Sequence, residues 1–298
     1  MPLLYLAKVN LNSNIFDVYD KKLTFNDVFS LIYESIFDGI DYITRKQGTY
    51  INSYGNTIVF LRESKYTFQE IHKRENGIIT GKLVRTFNKP TEKLDKASNK
   101  MVTIYVEESV SIYFYYDICR EMITFCERQA FGYNQFMNAF TNLLNKCVGK
   151  YEFEIFLQKD KDVLEEKLKS LKTVQRVKAT LIPPNSNEED LQELRKELVY
   201  MQQCEEANVT KINLEYASDN MKMESKVMKD IKTAVLRGYG DITATGINES
   251  GRQQTVSSSQ DAAYTANIQE NIGEEKYIEE SHNLIISFLV KLTKKIFE

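Results

Sequence analysis

The 298-residue chain is 42% hydrophobic and 27% charged, with 18 Tyr and 16 Phe, a balance that builds a core and excludes a long disordered tract. Its net charge of −3 hides an asymmetry: residues 1–150 hold 19 Lys+Arg against 16 Asp+Glu, and the remainder holds 20 against 26. Neither half is basic enough to define a nucleic-acid domain by charge alone.

The opening Met-Pro-Leu-Leu-Tyr-Leu-Ala-Lys is too short an apolar run for a signal peptide, and Leu284–Leu292 is too short to cross a bilayer. Cys119, Cys126, Cys147 and Cys204 show no CxxC spacing and read as reduced thiols. A soluble cytoplasmic protein without membrane contact is expected.

In chain order, Leu3–Val9 predicts a first strand. Thr24-Phe-Asn-Asp27 opens a helix that places Val28, Leu31, Ile32 and Ile36 on one side. Strands follow at Asn56–Arg62, and at Tyr66–Glu75 and Ile78–Phe87 around Asn76-Gly77, a dipeptide suited to a two-residue hairpin turn. The polar run 88–100 predicts a loop. Met101–Val106, Val110–Tyr116 and Met122–Cys126 complete an antiparallel set, and a helix covers 134–146.

Beyond Gly149 strands and helices alternate: strand 151–158, helix 160–171, strand 177–182, helix 188–205, strand 209–216, helix 220–237 and strand 241–248, with a partner strand through Val256. Residues 257–263 are small and polar and read as a flexible link. A closing amphipathic helix over 274–297 carries an apolar stripe of Tyr277, Leu284, Ile285, Phe288, Leu289, Leu292 and Ile296. The fold class is therefore α+β: an antiparallel N-terminal half (1–149), an alternating half forming a mixed, partly parallel sheet (150–272), and a terminal helix (273–298). No internal repeat is visible.

Among candidate sites, residues 62–100 hold 10 basic against 5 acidic side chains. Arg62, Lys73, Arg74, Lys82, Arg85 and Lys89 interleave with Tyr66, Phe68 and Phe87, a pattern suited to single-stranded nucleic acid. Strand alternation, however, separates Lys73 from Arg74 and Lys82 from Arg85. A second candidate is the run Leu236-Arg-Gly-Tyr-Gly-Asp-Ile-Thr-Ala-Thr-Gly246. There Arg237, Gly238 and Gly240 either present backbone to phosphates or simply end a helix and turn it into a strand.

For catalysis, Glu152 and Glu154 share one strand face and, with Asp117, define an alternative reading as a metal-dependent nuclease. A solvated strand face is the favoured explanation of the two glutamates. Gly77-Ile-Ile-Thr-Gly-Lys82 falls one residue short of a phosphate-binding loop. His72 and His282 are the only histidines, so zinc and histidine-based nucleophile pairs are not expected, and no cofactor is. The apolar stripe of the last helix packs on its own domain or on a second copy, giving a homo-oligomer.

The runs Ser111-Ile-Tyr-Phe-Tyr-Tyr-Asp117, Met122-Ile-Thr-Phe125, Val177-Lys-Ala-Thr-Leu-Ile-Pro-Pro-Asn185 and Arg237–Asn248 are similar to uncharacterised bacterial proteins found with phage-defence genes and mobile elements. That resemblance spans roughly residues 100–260. It implies an anti-phage setting and carries over no catalytic residue; a binding or sensing subunit is expected mostly because catalytic groups are missing from the sequence. A protein-binding subunit or inhibitor without a nucleic-acid role is a further alternative.

Overall fold

β1 (Leu3–Leu11) is buried along nearly its whole length, as its almost unbroken apolar sequence requires of a strand covered on both faces. The computed structural model describes residues 2–51, 55–97, 99–185, 198–270 and 272–294. α1 (Ile15–Tyr19) follows, then α2 (Phe25–Ser35), whose start is fixed by a capping box between Thr24 and Asp27. The first sheet continues with β2 (Asp41–Ile51), β3 (Thr57–Arg74), β4 (Ile78–Asp95), β5 (Lys100–Asp117) and β6 (Met122–Cys126). After α3 (Tyr133–Val148), β7 (Phe153–Leu157) returns to pair with β1.

A second sheet holds β8 (Leu171–Leu181), β9 (Ile212–Ala217), β10 (Gly240–Asn248) and β11 (Gln253–Ser257) in the order β11-β10-β8-β9. Its helices are α4 (Lys161–Lys169), α5 (Val199–Ala207) and α6 (Lys226–Leu236). A short α7 (Ser258–Asp261) leads to β12 (Thr265–Asn267), which pairs with β1, and α8 (Glu274–Lys294) closes the described chain.

The α+β class holds, with corrections. The described strand pairs are antiparallel in both sheets, so the partly parallel pairing expected of the second half is not formed. Its helices do not carry the chain between parallel neighbours: β8 and β9 meet head to tail across α5. The expected boundary near 149 also shifts, because β7 and β12 both belong to the first sheet.

The expected loop 88–100 is instead the outer part of a long ribbon, in which Asn88–Asp95 pairs with Lys100–Glu107. Its polar residues are those of a ribbon exposed on both faces. The expected link 257–263 is ordered: the Ser258 hydroxyl accepts from Ile242 N at 3.0 Å and donates to Asp241 at 3.0 Å. β2 has no counterpart in the sequence reading, and the expected helix 188–205 lies partly outside the described residues, which show α5 from Val199 onward. At the hairpin turn, Asn76 and Gly77 take φ of 61° and 72°, as that dipeptide is chosen to do.

Three apolar clusters hold the fold. The largest packs α2 and α3 on one face of the first sheet around Phe68, Phe114, Phe125, Phe136 and Phe140. The second lies between the second sheet and α4, α5 and α6. The third packs α8 on the opposite face of the first sheet, with Tyr277, Leu284, Ile285 and Phe288 against Leu4, Leu6, Tyr115 and Met122.

Candidate functional site

Three helices that are far apart in sequence converge on one cleft of about 580 Å³, a size suited to a small ligand or one nucleotide. α6 buries Met228, Ile231, Ala234 and Val235, which leaves Lys229, Lys232, Thr233 and Leu236 to line the cleft with Arg237 just past its end. α8 adds Phe288, Lys291 and Leu292, spaced three and four residues apart on one side. The third wall is the start of α4, with Lys159 to Asp162 and Glu165, and Tyr264 contributes beside Phe288.

Six cations and four carboxylates line the cleft, and most are paired. Lys159, whose side chain has 0% exposure, donates to Asp241 at 2.7 Å and to the Leu157 carbonyl; burial pulls its pKa down against the opposing pull of Asp241. Lys291 meets Asp160 at 3.4 Å, and Lys161 meets Glu165 at 3.9 Å. The first amides of α4 are already capped, since Asp160 accepts from Asp162 N and Val163 N. Lys229 and Lys232 share Glu224 at 3.9 and 3.5 Å, but that carboxylate is 78% exposed and held loosely.

Arg237 stands apart. Its half-buried guanidinium has no carboxylate or hydrogen-bond partner among the described residues. A guanidinium withdrawn from water favours an anion, and its planar donor fork matches a phosphate or carboxylate.

The neighbouring glycines have structural work instead. Gly238 ends α6 with φ +80°, and a Cβ there would lie 2.4 Å from Gln158 Nε2. At Gly240 a Cβ would lie 2.1 Å from the Thr180 carbonyl oxygen on the adjacent strand β8. Neither presents backbone to a phosphate, so of the three candidates Arg237, Gly238 and Gly240 only Arg237 belongs to the cleft.

Directly behind Arg237 runs a buried polar seam between the two sheets. Lys8 donates to the Tyr239 hydroxyl at 2.9 Å and lies 3.7 Å from Glu121. Glu121 accepts from Asn185 Nδ2 at 2.8 Å, Tyr239 donates to the Asn185 carbonyl, and Asn10 donates to the Gly238 carbonyl at 3.0 Å. Burial is the largest influence on both charges and pulls Lys8 down, but Tyr239 and Glu121 together outweigh it and hold Lys8 above its usual value. For Glu121 burial wins, and its pKa is raised despite Lys8 and Asn185. The seam ties β1 to the loop that carries Arg237.

The expected nucleic-acid residues on the first sheet are not gathered into one patch. Lys73 donates to the Glu34 carbonyl at 2.9 Å, Arg74 pairs with Glu274 at 2.7 Å, and Lys82 pairs with Glu70 at 2.6 Å. Arg85 bonds Ser64 Oγ and the Ala130 carbonyl, while Lys89 pairs with Glu108 at 3.0 Å. Arg62 is exposed on the outer part of β3. The register puts Arg62, Lys73, Arg85 and Lys89 on one face and Arg74 and Lys82 on the other, with the phase shifted by a bulge after Gln69.

The nuclease trio does not converge either. Asp117 is buried and bonded to Arg120 at 2.6 Å, Glu154 is paired with Lys211 at 2.7 Å, and Glu152 is exposed. Among the described residues no group of three metal-ligating side chains forms. The expected oligomer stripe is also spent internally: Leu284, Ile285 and Phe288 are buried, Leu289 and Leu292 pack beside them, and Ile296 lies outside the described residues. Among the described residues no helix is long and apolar enough to cross a membrane.

Sequence reading missed Lys161, Lys229, Lys232, Lys291 and Glu224. The available signal was the 229/232/233/236 spacing, which places three polar residues and one leucine on one side of α6.

The geometry defines an α+β protein of two antiparallel sheets with a cationic cleft between three helices. The chain belongs to the DUF4747 family, described as a domain of unknown function, whose model matches residues 24–285. No curated protein matches it.

Proposed function

We propose that this chain is a binding protein that takes phosphate groups of nucleic acid in the cleft between α4, α6 and α8. It would act as the recognition subunit in the anti-phage setting that the sequence resemblance implies. The observation that carries this reading is Arg237, a half-buried guanidinium without a protein partner in a cleft lined by further lysines. Glu224 supports it, because an exposed carboxylate reaching toward Lys229 and Lys232 stands where a ligand phosphate would. Leu236, Tyr264, Phe288 and Leu292 supply an apolar floor for the less polar part of a nucleotide.

Fluorescence anisotropy of a labelled single-stranded oligonucleotide, measured across a salt series, tests this. Binding that weakens steeply between about 50 and 200 mM salt is expected of phosphate contacts. No binding at the lowest salt would overturn it.

A further inference from the structure

The cleft does not end at Glu224. Glu165, Lys232 and Glu224 border it on that side, and the same three side chains line a second compartment of about 530 Å³ beyond them. α4 and α6 carry their residues into the two spaces in matching order. Lys161 and Arg237 stand in the first, Glu165 and Lys232 in both, and Leu168 and Lys169 only in the second. The two compartments therefore follow one groove along the pair of helices. Lys161 and Lys169 are eight residues apart on α4, which makes the groove about 12 Å long at the 1.5 Å helical rise.

The second compartment has an apolar floor and a charged rim. Leu168, Leu171 and Val174 are buried beneath it, and Met221 and Met223 are half-buried at its side. The Met221 amide donates to the Val174 carbonyl at 2.8 Å, which fixes that side to β8. Thioethers are polarisable and make favourable contacts with aromatic rings, so this wall suits a base. Lys169 and Lys172 are exposed on the rim, and neither pairs with a carboxylate among the described residues.

Given the phosphate-binding reading of the cleft, on which this rests, we infer that a single strand of nucleic acid runs the length of the groove. Its backbone passes from Arg237 across Lys232 to Lys169 and Lys172, so the protein recognises a short run of nucleotides rather than one. A stacked strand rises about 3.4 Å per nucleotide, so this length takes about three or four. Cations at both ends and in the middle track a charged backbone, while the apolar floor takes the bases. Glu224, 78% exposed at the border, can swing clear of the strand at little cost. An acidic peptide would meet the lysines but leave the floor uncovered.

Anisotropy of labelled oligothymidylates of two, four and eight nucleotides, measured on the full chain at one low salt concentration, tests the second compartment apart from the first. The tetranucleotide should bind at least about tenfold tighter than the dinucleotide, with a further gain of no more than about threefold at eight. Replacing Lys169 and Lys172 together by Ala should abolish the gain at four and leave the dinucleotide unchanged, whereas Arg237→Ala should weaken every length. Both lysines are exposed, so the melting temperature of the double variant should be retained. A dinucleotide that binds as tightly as the tetranucleotide overturns the inference and leaves the cleft standing. So does a gain that continues undiminished to eight, or an equal loss at all lengths in the lysine double variant. Tetraglutamate that displaces the tetranucleotide as well as its unlabelled form does would give the groove to an acidic peptide and overturn it too. Failure of every length to bind removes the phosphate-binding reading itself, and the inference with it.

Discussion

Lys8 places its ammonium 2.9 Å from the Tyr239 hydroxyl and 4.1 Å from the centre of the same ring, fixing the first strand to the loop that carries Arg237. With Glu121 on its other side, Lys8 is the charge on which the seam depends.

Replacing Lys8 by Met leaves Glu121, whose side chain is 15% exposed, with Asn185 but without its counter-ion, and a loss of up to about 3 kcal/mol near neutral pH is expected. The Glu121 pKa is already raised by burial and rises further in the variant. The folded state then holds more protons than the unfolded state above the ordinary glutamate range, so stability falls as pH rises through that window. Urea denaturation of both proteins at pH 5 and pH 8 should show a smaller deficit at pH 5. An equal deficit at both would contradict this account of Glu121.

Ile285 is fully buried between α8 and the first sheet. Ile285→Ala should therefore lower stability by about 2–5 kcal/mol while leaving the oligomeric state unchanged. A monomerised but equally stable variant would return α8 to the role of subunit interface.

Gly238→Ala tests whether that glycine serves folding. Its Cβ would press on Gln158, which is fully buried, in a left-handed backbone conformation. A loss of about 1–3 kcal/mol is expected. Gly251 has φ +77° but open space around it, so Gly251→Ala should cost about 1 kcal/mol. Equal melting temperatures for the two variants would contradict the packing argument.

Where the sequence reading succeeded, the signal was local. Asn76-Gly77, the Thr24–Asp27 cap, the apolar face of α8 and Gly238 at the end of α6 each depend on residues within a few positions. It failed where partners come from a distance. β7 looks like the first strand of a second domain, yet it pairs with β1, more than 140 positions earlier. The ribbon residues 88–100 look like a loop because both faces are wet. The cleft was legible only at Arg237, since Lys161, Lys229 and Lys291 meet across three helices that no single window contains.

Glu224→Gln offers a gain of function. If the Glu224 carboxylate occupies the place of a ligand phosphate near Lys229 and Lys232, removing its charge should tighten oligonucleotide binding about two- to fivefold, the small effect expected of an exposed pair. Anisotropy titrations at fixed salt would show it, and weaker binding would mean that Glu224 helps to hold the ligand.

The most direct measurement compares Arg237→Ala with Arg85→Ala for oligonucleotide affinity at one low salt concentration. Arg237→Ala should weaken binding at least about tenfold, the loss of one charge-assisted contact, while Arg85→Ala leaves affinity unchanged because its guanidinium is held by Ser64 and Ala130. Unchanged affinity in Arg237→Ala together with a loss in Arg85→Ala would move recognition to the first sheet and contradict the cleft.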